Sequence, residues 1–143
     1  MYVRVEAEVR PTEDPEKVKK AVLNVFKGAV NIVENQRGFL VVFGESYTAE
    51  SLRKVYELIR IQRIMDAARK SLRKGLTKDT LVFKLHKQAA YAGKLSFIDS
   101  DIESPLGPIV FYVESADIMR VIDWLAPKTN MGKPLWEIDM PKD

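Results

Sequence analysis

The sequence predicts an α+β fold, a largely antiparallel sheet with helices packed on one face. Several short segments alternate apolar and polar residues with period two, as strands with one buried and one wet face do. Segments of helical periodicity lie between them in mixed order, without the strict strand–helix alternation of a parallel sheet. The chain of 143 residues is long enough to bury one proper core. It reads as a single domain over 1–127, followed by an extended C-terminal tail over 128–143.

The first strand is Val3, Val5, Ala7 and Val9, alternating with Arg4, Glu6, Glu8 and Arg10. Asp14 then offers an N-cap, Pro15 suits the first helical position, and Glu16 favours the positive end of the helix dipole. Val18, Ala21, Val22, Val25 and Phe26 predict its apolar face, with Gly28 as the stop. Val30 to Glu34 and Phe39 to Gly44 predict two strands around the polar turn 35–38.

Thr48 or Ser51 opens a longer helical unit that Gly75 closes, and its apolar pattern is unusual. With about 100° of turn per residue, Leu52, Val55, Tyr56 and Ile59 share one face. Ile61, Ile64, Met65, Ala68 and Leu72 share the opposite one. An amphipathic helix normally has one stripe to bury, so the jump predicts a bend around residues 59–62.

Beyond it, Leu81, Phe83 and Leu85 predict a strand, Ala89 to Ala92 a helical turn, and Leu95 with Phe97 the start of another strand. Asp99 to Ser104 is a polar loop. Turn chemistry at 105–108 releases a strand with Ile109, Phe111 and Val113 on one face. Ser115 is the expected cap of a last helix, with Ile118, Val121, Ile122 and Leu125 inward and Pro127 as its stop. In the tail Trp136, Ile138 and Met140 alternate. Three large apolar groups together predict packing on the body or on a partner subunit.

The charge is unevenly placed. Twelve of the 23 Lys and Arg residues lie between Arg53 and Lys94, against Glu57, Asp66 and Asp79 alone. The other residues carry eleven basic and seventeen acidic side chains. A net charge of only +3 therefore hides a strongly positive middle third, and local concentration is what attracts phosphates. Arg63, Arg69, Lys70, Arg73 and Lys74 are expected opposite the apolar face of the second helical segment, as a basic ridge with Asp66 the one acid among them. The competing reading is an ordinary solvated helix face.

No run of eighteen apolar residues exists, so no membrane span is expected. The alternating N-terminus is unlike a signal peptide. The absence of cysteine excludes disulfides, thiolate chemistry and Cys-type zinc sites. High charge with three Gln and four Asn suits a cytoplasmic, thermophilic protein.

Four blocks are recognisable: 60–69 (RIQRIMDAAR), 85–90 (LHKQAA), 104–109 (SPLGPI) and 122–127 (IDWLAP), preceded by 9–14 (VRPTED). In order and spacing, from about residue 3 to 134, they resemble the signature blocks of an archaeal family, uncharacterised protein family 0201. The resemblance implies an α+β fold similar to ribosomal protein L-five and an RNA-binding role. It transfers no catalytic residue. It departs at His86, where a polar residue such as Asn is implied.

A separate search for chemistry agrees. The seven glycines are too scattered for a Walker loop or a dinucleotide fingerprint. His86 is the only histidine, so neither a two-histidine metal site nor a Ser-His-Asp triad with a spare base can be built. Asp99, Asp101 and Glu103 lack the glycine-centred calcium loop and read as a solvated turn. Asp123 reads as a helix-surface carboxylate. No enzyme activity, metal or cofactor is expected.

The expected function is RNA binding through phosphate contacts, without catalysis. Arg60, Arg63, Arg69, Lys70, Arg73 and Lys74 supply one element, and Lys84, Lys87, Gln88 and Lys94 extend the track. Tyr91 could stack on an unpaired base or pack in the core. Gln62 and Gln88 could read base edges or cap backbone groups. Arg60 and Arg63 could instead be buried against Asp66 and other acids. The alternative is an interaction or assembly module whose basic face meets an acidic partner, with the tail or a sheet edge carrying self-association into a homodimer.

Overall fold

The computed structural model describes residues 1–99 and 105–142. Its frame is a six-stranded sheet in the order β2-β3-β1-β6-β4-β5, every neighbouring pair antiparallel. The strands are β1 (Tyr2–Val9), β2 (Val30–Glu34), β3 (Leu40–Ser46), β4 (Thr80–His86), β5 (Phe97–Ile98) and β6 (Pro108–Glu114). The period-two pattern sets the faces. Val3, Val5, Ala7 and Val9 are buried together with Leu81, Phe83, Leu85, Ile109, Phe111 and Val113. Register aligns Val5 with Phe111 and Phe111 with Phe83, whose rings stack at 4.8 Å.

The helices α1 (Pro15–Leu23), α2 (Arg53–Ile61), α3 (Met65–Lys74), α4 (Lys87–Tyr91) and α5 (Ile118–Leu125) cover that one face. Asp14 caps α1 as expected, accepting from the Glu16 N–H at 3.0 Å. The helix ends five residues before Gly28, however. Asn24 caps it, and its amide donates to the carbonyl of Ala90 at 2.9 Å. Val25 and Phe26 are still buried, but from the turn after the helix, where the Phe26 ring reaches Phe111.

The expected bend is present. A short 3-10 turn, Ala49–Leu52, leads into α2, which ends at Ile61. Arg63 then takes a left-handed backbone, φ 55°, and α3 starts at Met65. Ile61 does not join the second apolar face: it still belongs to α2 and is 72% exposed. Asp117, not Ser115, caps α5, accepting from the Arg120 N–H, while Ser115 Oγ accepts from the Asp117 N–H.

After Pro127 the chain forms a small hairpin of β7 (Thr129–Asn130) and β8 (Lys133–Pro134), and Ile138 and Met140 then pack on the core. No helix among the described residues is long and apolar enough to cross a membrane.

Gly75 closes α3 where the chain crosses β4. A Cβ there would lie 1.7 Å from the Val82 carbonyl oxygen, and the Val82 N–H donates back to the Gly75 carbonyl at 3.0 Å. Backbone cannot yield there without losing the ladder, so Gly75→Ala is expected to cost at least about 2 kcal/mol. Gly93→Ala meets only a positive φ with open space around it, and should cost about 1 kcal/mol. Urea denaturation of the two variants separates steric from dihedral cost.

Candidate nucleic-acid interface

On α3 the core takes Met65, Ala68 and Leu72, and it takes Arg69 with them. At about 100° per residue Arg69 stands only about 40° from Met65, so it falls inside the buried stripe rather than on the ridge. It is 8% exposed and donates to Asp123 at 2.9 Å and to the Ala126 carbonyl at 3.0 Å. Asp123, expected on a helix surface, is thus half of a partly buried ion pair.

Arg60 is committed in the same region. Its guanidinium donates to the carbonyls of Leu125 (2.9 Å), Trp124 (3.1 Å) and Tyr56 (3.1 Å), and pairs with Glu137 at 2.6 Å. It also lies 3.5 Å from the centre of the Tyr56 ring, which stacks on Trp124 at 4.8 Å. Arg60 is therefore structural, as one reading of the sequence allowed, although its acid is Glu137 rather than Asp66.

Arg63, Lys70 and Arg73 are exposed, and no carboxylate among the described residues pairs with them. Lys74 is exposed but pairs with Asp99 at 2.9 Å. Asp101 and Glu103, weighed with Asp99 as cation ligands, lie outside the described residues. Among those described, no group of three or more His, Asp or Glu could hold a metal ion.

The second half of the expected track divides. Lys84 alternates with Phe83 and Leu85, so it projects from the opposite face of the sheet, away from the helices. Lys87 is buried, 3% exposed, with all three N–H bonds spent: on the carbonyls of Glu8 (2.7 Å) and Leu106 (2.6 Å) and on Glu13 (2.9 Å). Burial pushes its pKa down against the pull of Glu13. His86 caps α4 by accepting from the Ala89 N–H, so the imidazole has a backbone task. Gln88, Tyr91 and Lys94 are exposed.

The two glutamines have different roles. Gln62 donates to the Leu95 carbonyl at 2.9 Å and accepts from the Leu95 N–H at 2.7 Å. This clasp sets the loop carrying Arg63 against the loop carrying Lys94. The Gln88 side-chain amide has no hydrogen-bond partner among the described residues and faces a cavity of about 300 Å³ between α1 and α4.

That cavity brings in residues outside the basic stretch. Lys17 lines it beside Tyr91, and the Lys20 ammonium stands 5.3 Å from the centre of the Tyr91 ring. Their spacing of three on α1 marks one outward helix face. Nothing local in the sequence says that this face adjoins α4.

One open antiparallel sheet, helices on a single face and cations on the solvent side of those helices define a class of small α+β proteins with a basic helical layer. A family model described as RNA binding matches residues 2–114. A UPF0201 protein of Metallosphaera sedula is 52% identical over 139 residues, covering 97% of this chain and 96% of its own length. One from Aeropyrum pernix is 48% identical over 141 residues, covering 98% and 94%. The crystal structure of the Methanococcus jannaschii UPF0201 protein superposes with a TM-score of 0.82 at 37% identity, over 94% of this chain and 99% of that one. The chain belongs to the UPF0201 family.

Lys87 and Lys94 differ in kind, and stability measures that difference. Lys87→Met takes one donor each from Glu13 and the Glu8 and Leu106 carbonyls and should cost about 3–5 kcal/mol, the usual cost of breaking a buried pair. Lys94→Met should stay within about 0.5 kcal/mol in the same denaturation experiment.

Proposed function

We propose that the protein binds RNA through backbone phosphates, on a surface formed by Arg63, Lys70 and Arg73 with Lys94 beside the Arg63 loop. The observation that carries this reading is the exposure of these cations without a carboxylate partner among the described residues. Paired cations are already neutralised; unpaired ones release counterions from a polyanion when they bind. The match of residues 2–114 to an RNA-binding family model supports the same reading. Phosphate contacts position a strand but read no sequence, so weak sequence preference is expected. We assign no catalytic step, since the one imidazole is engaged as a helix cap.

The test is charge reversal of Arg63, Lys70 and Arg73 together, with affinity measured for structured and unstructured RNA over a range of salt. Lys74 is left out because Asp99 already holds it. Four phosphates neutralised on a single strand give a log–log salt slope of about −3. The triple variant should lose most of that slope and most of the affinity, and unchanged binding would remove the surface from consideration. Purified protein should carry nucleic acid, read as a high absorbance ratio at 260 over 280 nm. An acidic protein partner would leave that ratio low.

Arg63 allows a sharper experiment. Its left-handed backbone costs a non-glycine residue about 1–2 kcal/mol. Arg63→Gly should therefore be neutral or stabilising by up to about 1 kcal/mol while weakening RNA binding. Thermal unfolding of this variant should hold or rise in temperature while RNA titration shows a loss of affinity.

A further inference from the structure

We propose that the cavity between α1 and α4 receives one unpaired nucleotide of an RNA strand, its base against Tyr91 and its phosphate on Lys17 and Lys20. This rests on the RNA-binding reading above and adds where a base would go.

The cavity, about 300 Å³, is at the lower end of the range for small-ligand sites. Its floor is apolar, from Val18 and Ala21 of α1. Its wall is the Tyr91 ring, 41% exposed, and among the described residues no other ring packs on it. The other solvent-facing tyrosines are engaged with neighbours: Tyr2 donates to Glu45 at 2.6 Å, Tyr112 donates to Glu114 at 3.0 Å, and the Tyr47 ring packs on Tyr2 with centroids 5.6 Å apart. Tyr91 has no such hydrogen bond among the described residues. An aromatic face on an apolar floor is the surface on which an unpaired base stacks.

The polar groups suit the rest of a nucleotide. Gln88 presents an amide that both donates and accepts, as a base edge requires, and Gln62 shows what the alternative looks like when an amide is consumed by backbone. Lys17 lines the cavity, and the Lys20 ammonium stands over the Tyr91 ring at its side. Two carboxylates border the cavity, and both are held by protein donors. Glu13 accepts from Lys87 and from the Arg10 N–H, and Asp14 accepts from the Glu16 N–H. A duplex keeps its base faces stacked and out of reach, so the ligand is single-stranded. The Gln62 clasp sets Arg63 near Lys94, three residues beyond Tyr91 in sequence, so a strand has cations on which to continue.

The experiment compares a short oligoadenylate, a blunt RNA duplex of the same length and adenosine monophosphate. Tyr91→Leu keeps apolar bulk and removes the ring; it should weaken oligoadenylate binding at least about fivefold and leave duplex binding within about twofold. Tyr91→Phe should keep wild-type affinity, and Lys17→Glu with Lys20→Glu should weaken oligoadenylate binding. If Tyr91→Leu lowers oligoadenylate and duplex binding equally, or lowers neither, the cavity is not a base site and the proposal falls. In that case a salt slope still lost on reversing Arg63, Lys70 and Arg73 leaves the phosphate surface standing. Conversely, selective loss in Tyr91→Leu with the reversal variant unaffected keeps the cavity and sinks the phosphate surface. Adenosine monophosphate binding as tightly as the oligomer would make this a free-nucleotide site and overturn the strand.

Discussion

Two guanidinium groups close the C-terminal end of α5, and the course of α2 and α3 follows from that. The last carbonyls of any helix lack intrahelical donors and carry the negative end of its dipole. Here Arg60 takes those of Trp124 and Leu125, and Arg69 takes that of Ala126. One arginine comes from α2 and the other from α3, so both helices must pass the same point. The left-handed residue between them, Arg63, provides the change of direction. Glu137 and Asp123 compensate the two charges, and the Arg60–Tyr56–Trp124 stack fills the space around them.

That arrangement divides the basic stretch into cations that hold the fold and cations that do not. Arg60, Arg69 and Lys87 are fixed by carbonyl and carboxylate acceptors supplied by distant parts of the chain. Arg63, Lys70, Arg73 and Lys94 remain in water. Net charge per segment counts both groups alike. Only the second group is available to a polyanion, because the first has already exchanged its hydration for protein acceptors.

Much of the architecture could be read from local patterns. Strand alternation placed the buried faces of β1, β4 and β6, Asp14 announced the start of α1, and the jump in the apolar stripe announced the bend. These are properties of neighbours in sequence. Of the misplaced residues, the periodicity already carried the face of Lys84 and the burial of Arg69, but the partners of Arg69 and Lys87 are distant. Arg69 meets Asp123 from α5, Lys87 meets Glu8 and Glu13 from the other end of the chain, and Lys84 follows the pleat to the far face of the sheet. Val25 and Phe26 kept their burial but not their helix, since Asn24 serves α4 instead of continuing α1. The neighbours of Tyr91 were hidden for the same reason. Lys17 and Lys20 lie in a part of the chain where acids balance bases, and only the packing of α1 on α4 brings them there.

The position of β1 has a consequence for synthesis. It is an inner strand, bonded on one side to β3 and on the other to β6, so that Tyr2 faces Glu114. During synthesis β1 therefore waits, with one edge open, until β6, about a hundred residues further along, has been made. Contacts of such sequence separation close slowly, and an unpaired edge invites foreign strands in the meantime. The charges that alternate along β1, Arg4, Glu6 and Glu8, with Arg10 just past its end, stand on the wet face of the strand and discourage such pairing while translation proceeds.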